Sequence, residues 1–343
     1  MSGSPYVKTL LAADIGGTHS RFAIFTLDAS APAPLQTLTL VRSVRFATTS
    51  ANSTAALMRL LAEAPGSDGG FFTPASSAPV YPDAAVFAIP GPTAVADVSL
   101  PPLPDEECYC PNIAWPLQLA PVIEALHDAP VRFINDFVAN GFACALLPAV
   151  TEPVEILPGE SLPHFPRAVV GGGSGLGHCL ILPGEKPIVL GAEAGHVVFP
   201  FTGEEEDIAR HFRETLGTQR PDGDDVVTGG GLATLCAYYT GTRPEPYEAP
   251  AIAAKHPAVL GMMARFYGRA VCHYTVNTLA LGGVYITGGL AANVPGLLEH
   301  PEFAAELRDR SPMKRILAHL PVWHVRNQDA GLWGAAACAS MVL

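Results

Sequence analysis

Three apolar runs in this chain end in glycine-rich loops: "LLAADIGGTHSRFAIF" (10–25), "RAVVGGGSGLGHCLIL" (167–182) and "GVYITGGLAANV" (283–294). The first two read as strand, loop, strand; the third reads as a strand entering a glycine pair. A tight hairpin needs only Asn-Gly or Asp-Gly at its tip, so the first loop, Asp14-Ile15-Gly16-Gly17-Thr18-His19, carries more than a turn requires. Glycine lets backbone N–H groups approach phosphate oxygens with no Cβ in the way. Any one of the loops would also serve as a plain tight turn; the three together suit donors arranged around one nucleotide. None contains G-x-x-x-x-G-K-[ST], which excludes a P-loop. "GGGSGLG" lacks the G-x-G-x-x-G spacing and runs into "HCLIL", a hairpin pattern instead of a helix start.

Other segments fill in an α/β pattern. "AAVFAIPGP" (84–92) and "VRFINDF" (131–137) are strands ending at sharp loops, and "FVANGFACALL" (137–147) continues as a helix closed by Pro148. "NSTAALMRLLAEAPG" (52–66) has polar capping residues and a Pro-Gly stop. "EEEDIARHFRETLG" (204–217) puts Ile208, Phe212 and Leu216 on one helical face, with acids in the first turn and Gly217 at the end. Residues 257–283 are apolar nearly all round and predict a buried helix. Residues 65–82 read as a Gly/Ser/Pro-rich surface loop, and proline-rich 150–168 as a connection between lobes. Strand–glycine loop–strand near the start of each half predicts two related α/β lobes facing a cleft.

Composition narrows the function. A length of 343 residues accommodates two lobes. The formal charge of −12, with no basic block, argues against a nucleic-acid partner. No apolar run approaches the ~18 residues of a membrane span, and the N-terminus lacks the layout of a signal peptide. Seven scattered cysteines read as free thiols in a reducing cytoplasm; the single C-x-C of Cys108 and Cys110 does not make a zinc site.

The three loops resemble the phosphate-1, phosphate-2 and adenosine segments of the actin-like ATPase superfamily of sugar kinases. "INDF" (134–137), "GAEAGHVVF" (191–199) and a terminal "DAGLWGAA" (329–336) narrow the resemblance to bacterial glucokinases of the hexokinase type, over about residues 9–335. The zinc-binding cysteine–glycine cluster of the neighbouring repressor/ORF/kinase group is absent. The resemblance implies a two-lobed actin-like (ribonuclease H-like) fold with a cleft between lobes. Its smaller lobe would be 1–147 plus 326–343 and its larger lobe 148–325. It implies ATP with Mg²⁺ as cofactors, held by Asp14, Ile15, Gly16, Gly17, Thr18, Gly173, Ser174, Gly175, Gly288 and Gly289. Asp14 would reach the metal through water, because Mg²⁺ keeps several waters. It also implies a homodimer.

By residues alone, the Asp of "NDF" serves equally as a helix cap or as a chemical group. The resemblance makes Asp136 the base for the sugar's primary alcohol and Asn135, Glu193, His196 and Asp224 further glucose contacts, with Asp225 a neighbouring candidate for the last. Family Asn is replaced by His19, Thr by Ser174 and Gly by Ala194. Asp224 stands for a family glutamate and is one methylene shorter. The reading is an ATP-dependent glucokinase in which lobe closure excludes water. Its alternatives are a kinase for another hexose or phosphoryl donor, or a non-catalytic sugar-responsive regulator. The regulator would need a DNA-binding module, for which the 13 residues before Asp14 leave little room.

Overall fold

The structure is a computed structural model that describes residues 6–66, 69–72, 80–93, 107–110, 112–309 and 312–343. The chain divides into two compact units, residues 1–151 with 329–343 and residues 152–328. These divisions fall at 151 and 328, where the sequence suggested 147 and 325.

In the first unit, β1 (Val7–Ile15), β2 (His19–Asp28) and β3 (Thr39–Ala47) form an antiparallel meander. On its other edge β1 pairs in parallel with β4 (Ala84–Ile89), and β4 with β5 (Val131–Asn135). All six residues of β4 are buried, as expected of a strand covered on both faces. Phe22, Phe87 and Phe133 form a row across one face, with ring centroids 6.0 and 5.9 Å apart. Helix α1 (Thr54–Glu63), capped by Ser53 Oγ accepting from the Ala56 N–H, buries Leu57, Met58 and Leu61 in the same core. Helix α2 (Asp136–Leu146) and the C-terminal helix (Ala330–Ala339) pack together, and the latter also lies on β1. Gly334 permits that approach, since a Cβ there would overlap the Ala139 carbonyl. The expected surface loop at 65–82 is partly wrong. Phe71 and Phe72 are buried because two rings next to a polar loop are more stable in the core; residues 67, 68 and 73–79 lie outside the described residues.

The second unit repeats the plan. Strands β7 (Arg167–Gly172), β8 (Leu176–Leu182) and β9 (Ile188–Ala192) make an antiparallel meander. Strand β10 (Val284–Thr287) pairs in parallel with β7, and β11 (Val322–Val325) in parallel with β10. One extra strand precedes them in the chain: β6 (Pro153–Leu157) adds antiparallel to β11. The proline-rich connection therefore contains an edge strand, where the missing Pro153 N–H is tolerated. Helix α3 (Glu206–Leu216) buries Ile208 and Phe212 and ends at Gly217 with φ of +67°. Two helices follow, α4 (Gly229–Thr240) and α5 (Pro257–Thr278). Helix α5 is not buried all round, because His273 and Asn277 are exposed. Among the described residues, no helix is long and apolar enough to cross a membrane.

Candidate active site

Strand register explains why the first-unit candidates share one edge. Asp14 lies level with Ala88, and Ile89 lies level with Asn135. The carboxyl ends of three adjacent parallel strands thus carry the Asp14 loop, the Gly91 turn and Asn135-Asp136. In open α/β sheets ligands bind outside such ends.

The Asp14–His19 loop is tied down on both sides. The Gly16 N–H donates to the His19 carbonyl at 2.9 Å, and Thr48 Oγ1 donates to the Gly16 carbonyl at 2.6 Å. The Thr48 N–H donates to the Thr18 carbonyl at 3.0 Å. Gly17 is required by a close approach, because a Cβ there would stand 2.7 Å from Asn112 Cβ and 2.8 Å from its carbonyl oxygen. Asp14 is paired with Arg21, directly opposite on β2, and Arg21 Nη1 also donates to Asp329 at 2.7 Å.

The helix-cap question at "NDF" has a definite answer. Asn135 is the N-cap of α2, its Oδ1 accepting from the N–H groups of Phe137 at 2.8 Å and Val138 at 3.3 Å. Its Nδ2 donates to the Gly91 carbonyl at 3.0 Å. Both Oδ1 lone pairs and one amide hydrogen are thereby used, which leaves one N–H of Asn135 to offer a ligand. Asp136 occupies the first helical position, and its Oδ1 also accepts from the Phe137 N–H at 2.9 Å. Burial pushes the nearby Cys110 thiol up to about 12, with Cys108 and Asp136 adding to the shift. That thiol is inert at neutral pH.

In the second unit the remaining glycines meet at the ends of β7 and β10. Gly288, with φ of +89°, presses on Gly172, whose carbonyl oxygen a Cβ would meet at 2.6 Å. The Gly173 N–H donates to the Gly175 carbonyl at 2.8 Å, and the Gly173 carbonyl accepts from the Gly229 N–H, at the start of α4, at 3.0 Å. Beneath them the buried Tyr267 hydroxyl accepts from the Gly172 N–H at 3.1 Å and donates to the Thr287 carbonyl at 3.4 Å. Gly173, Gly289 and the exposed Ser174 remain open to a ligand: the nearest atom to an added Cβ is 4.0 Å away at Gly173 and 3.5 Å at Gly289.

Of the proposed sugar contacts, Glu193 and His196 stand together on one turn, His196 Nε2 lying 3.7 Å from Glu193 Oε2, and both are substantially exposed. The other ring nitrogen, Nδ1, lies 3.5 Å from Asp222 Oδ2, an acid that sequence reasoning missed. Its signal was the D-x-x-D spacing of a capping box. The Asp225 N–H donates to Asp222 Oδ1 at 2.9 Å, and the Asp222 N–H donates back to Asp225 Oδ2 at 3.1 Å. Asp225 is therefore engaged in the cap, and burial raises its carboxyl pKa. Asp224 serves the glycine loop: Oδ1 accepts from the Leu176 N–H at 2.8 Å, and the carboxylate lies against Gly175 and Gly195, where a Cβ would collide with it.

A buried ion network, also missed from sequence, supports this unit from behind. Arg269, 1% exposed, pairs bidentately with buried Glu205 at 2.6 and 2.7 Å and with Glu306 at 2.9 Å, and donates to the Pro200 carbonyl at 3.1 Å. Glu205 was expected among the acids favouring the helix start; its charge is instead consumed by Arg269. Burial works to raise the Glu205 pKa, but the Arg269 bonds outweigh it and hold the carboxyl below its usual range. Among the described residues no group of three or more His, Cys, Asp or Glu side chains is placed to hold a metal ion.

Comparison with known proteins agrees with this layout. The Glucokinase family model matches residues 11–342. The glucokinase of Synechocystis sp. is 26% identical, over 96% of this chain and 97% of its own. That of Sinorhizobium fredii is 28% identical, over 96% and 91%. The crystal structure of glucokinase from Balamuthia mandrillaris in complex with glucose superimposes with a TM-score of 0.77 at 18% identity, covering 99% of this chain and 95% of that one. That likeness shows the fold, the two-lobed actin-like ATPase architecture of sugar kinases. With a family match that spans nearly the whole sequence, this chain belongs to the Glucokinase family.

Proposed function

We propose that the chain is an ATP-dependent glucokinase, transferring the γ-phosphoryl group of ATP to the 6-hydroxyl of D-glucose to give glucose 6-phosphate and ADP. The family match over residues 11–342 supports the activity. One observation supports Asp136 as its base: it stands directly after the N-cap Asn135, at the carboxyl ends of adjacent parallel strands. In this reading the Asp136 carboxylate accepts the proton of the 6-hydroxyl as its oxygen attacks the γ-phosphorus, and ADP leaves on the opposite side. The spare N–H of Asn135, together with Glu193 and His196, fixes ring hydroxyls so that the attacking oxygen is held in line. The N–H groups of Gly16 and Gly173 are already donated within their loops, so in this reading those of Gly17, Thr18, Ser174, Gly175, Gly288 and Gly289 receive the phosphates.

Mg²⁺ would neutralise phosphate charge. Asp14, the acid of the first glycine loop, would hold the ion through water, since Mg²⁺ keeps several waters. Seven buried cysteines, none joined in a disulfide, support a reducing cytoplasm as the working compartment, and the family resemblance adds a homodimer to the reading.

The test is a coupled ADP-release assay over a panel of sugars and donors. Glucose with ATP should give the highest kcat/KM; a clear preference for another hexose, or for polyphosphate or ADP as donor, would overturn the assignment.

A further inference from the structure

His196 stands between two carboxylates. Glu193 Oε2, on its own turn, lies 3.7 Å from Nε2, and Asp222 Oδ2, from a separate segment, lies 3.5 Å from Nδ1. A neutral imidazole has one N–H and one lone pair, so the nitrogen that holds the proton decides what the other can offer. With the proton on Nε2, His196 and Glu193 are complementary to each other and neither needs a ligand. With the proton on Nδ1, Nε2 is an acceptor beside a second acceptor, and the pair is open to hydroxyl donors.

Asp222 is held where it can make that choice. An antiparallel bridge sets Val198 opposite Asp222. On either side of it the Phe199 N–H donates to the Pro221 carbonyl at 2.8 Å, and the Gly223 N–H to the Val197 carbonyl at 3.2 Å. The capping box of the helical turn Gly223–Val226 then fixes the carboxylate. Its Oδ1 accepts from the Asp225 N–H at 2.9 Å, which leaves Oδ2 for the ring. Asp225, another acid that feels the charge of this ring, is committed to the cap through its own Oδ2. The Asp222 side chain is 25% exposed against 50% for His196, so the acid is the more buried of the two.

We propose that Asp222 is a positioning residue for His196: its carboxylate accepts the Nδ1–H and so makes Nε2 an acceptor for a ligand hydroxyl. A carboxylate on one ring nitrogen sets tautomer and orientation in this way, and such contacts commonly shorten once substrate is in place. The effect on sugar rests on the reading of His196 as a glucose contact; the tautomer does not.

Asp222→Asn tests the role. Asparagine caps a helix as well as aspartate does, so the Asp225 N–H keeps its acceptor, while the amide turns a donor toward Nδ1 and should move the proton to Nε2. Asp222→Ser also caps, but its side chain is too short to serve the ring. Ring nitrogen chemical shifts, assigned by comparison with His196→Ala, read the tautomer by NMR in mildly alkaline buffer, where an ordinary imidazole is neutral. The wild type should show mainly Nδ1–H, Asp222→Asn mainly Nε2–H, and Asp222→Ser a mixture. The glucose Kd, measured without nucleotide, should rise about tenfold in Asp222→Asn, as one inverted hydrogen bond implies, with the KM for ATP unchanged. In a His196→Ala background Asp222→Asn should add nothing. A wild-type Nε2–H tautomer, the same tautomer in all three proteins, or an equal glucose loss with and without His196 would overturn the positioning role. Normal glucose binding by His196→Ala would instead defeat the sugar-contact reading and leave the tautomer result standing.

Discussion

Asp14 and Arg21 face each other across the antiparallel pair β1–β2, and Arg21 bridges from Asp14 to Asp329 at the start of the C-terminal helix. The guanidinium thus offsets the charge of the one acid in the first glycine loop. Arg21→Gln should leave Asp14 uncompensated beside incoming phosphates. We expect the KM for ATP to rise roughly three- to tenfold, as one unbalanced charge near the surface implies, with the glucose Kd unchanged. Steady-state kinetics with ATP varied, alongside nucleotide-free glucose titration, checks it. An unchanged KM for ATP would make the pair purely structural.

Glycines that contact ligand can be separated from glycines that the fold itself needs. A methyl group at Gly173 or Gly289 meets nothing closer than 4.0 and 3.5 Å, whereas at Gly288 it would stand 2.6 Å from the Gly172 carbonyl oxygen at φ of +89°. Gly173→Ala should therefore keep stability within about 0.5 kcal/mol while raising the KM for ATP. Gly288→Ala should cost about 1 kcal/mol or more of stability. Denaturant midpoints and ATP kinetics on the two variants distinguish them.

Sugar selection should follow the exposed pair. Glu193→Gln and His196→Ala should lower kcat/KM for glucose by roughly ten- to a hundredfold and flatten the preference over mannose and galactose. Asp224→Ala should act differently, because it strands the Leu176 N–H: a stability loss of about 1–3 kcal/mol is expected. An Asp224→Ala protein with native stability and selectively weakened glucose binding would restore Asp224 to the sugar site.

Acid should destabilise the second unit in two stages. His178 has a folded pKa of about 4, below its ordinary 6.5, so its contribution is complete above pH 6.5 and is lost as pH falls toward 4. The slope is about 1.4 kcal/mol per pH unit in that window. Glu205 is also depressed, so its stabilisation is present above the usual carboxylate range and disappears as pH falls through its lower folded value. Stability measured against pH should be flatter between 4 and 6.5 in His178→Phe than in the wild type. Equal slopes would contradict the account.

The legible parts of the sequence were those where one local rule decides. Alternating apolar runs, glycine pairs and the Gly217 stop each specify backbone geometry over a few residues, and the strands and caps follow. Long-range relationships left weaker traces. Glu205 and Arg269 are 64 residues apart, and nothing near "EEED" distinguishes the acid that will be buried from those that remain in water. Asp222, Asp224 and Asp225 are close to indistinguishable as letters; the fold gives one to His196, one to the glycine loop and one to a helix cap. At "NDF" the local rule offered two residues for one cap; Asn135 is the N-cap, and Asp136 shares the Phe137 N–H with it.

The most direct test of the central claim is single-site chemistry at Asp136. Asp136→Asn preserves shape and leaves the Asn135 cap in place, so folding and glucose binding should change little. Without a carboxylate to accept the 6-hydroxyl proton, kcat should fall by ~10²–10⁴. A stably folded Asp136→Asn protein that phosphorylates glucose at a near wild-type rate would contradict the assignment of the base, and with it the proposed mechanism.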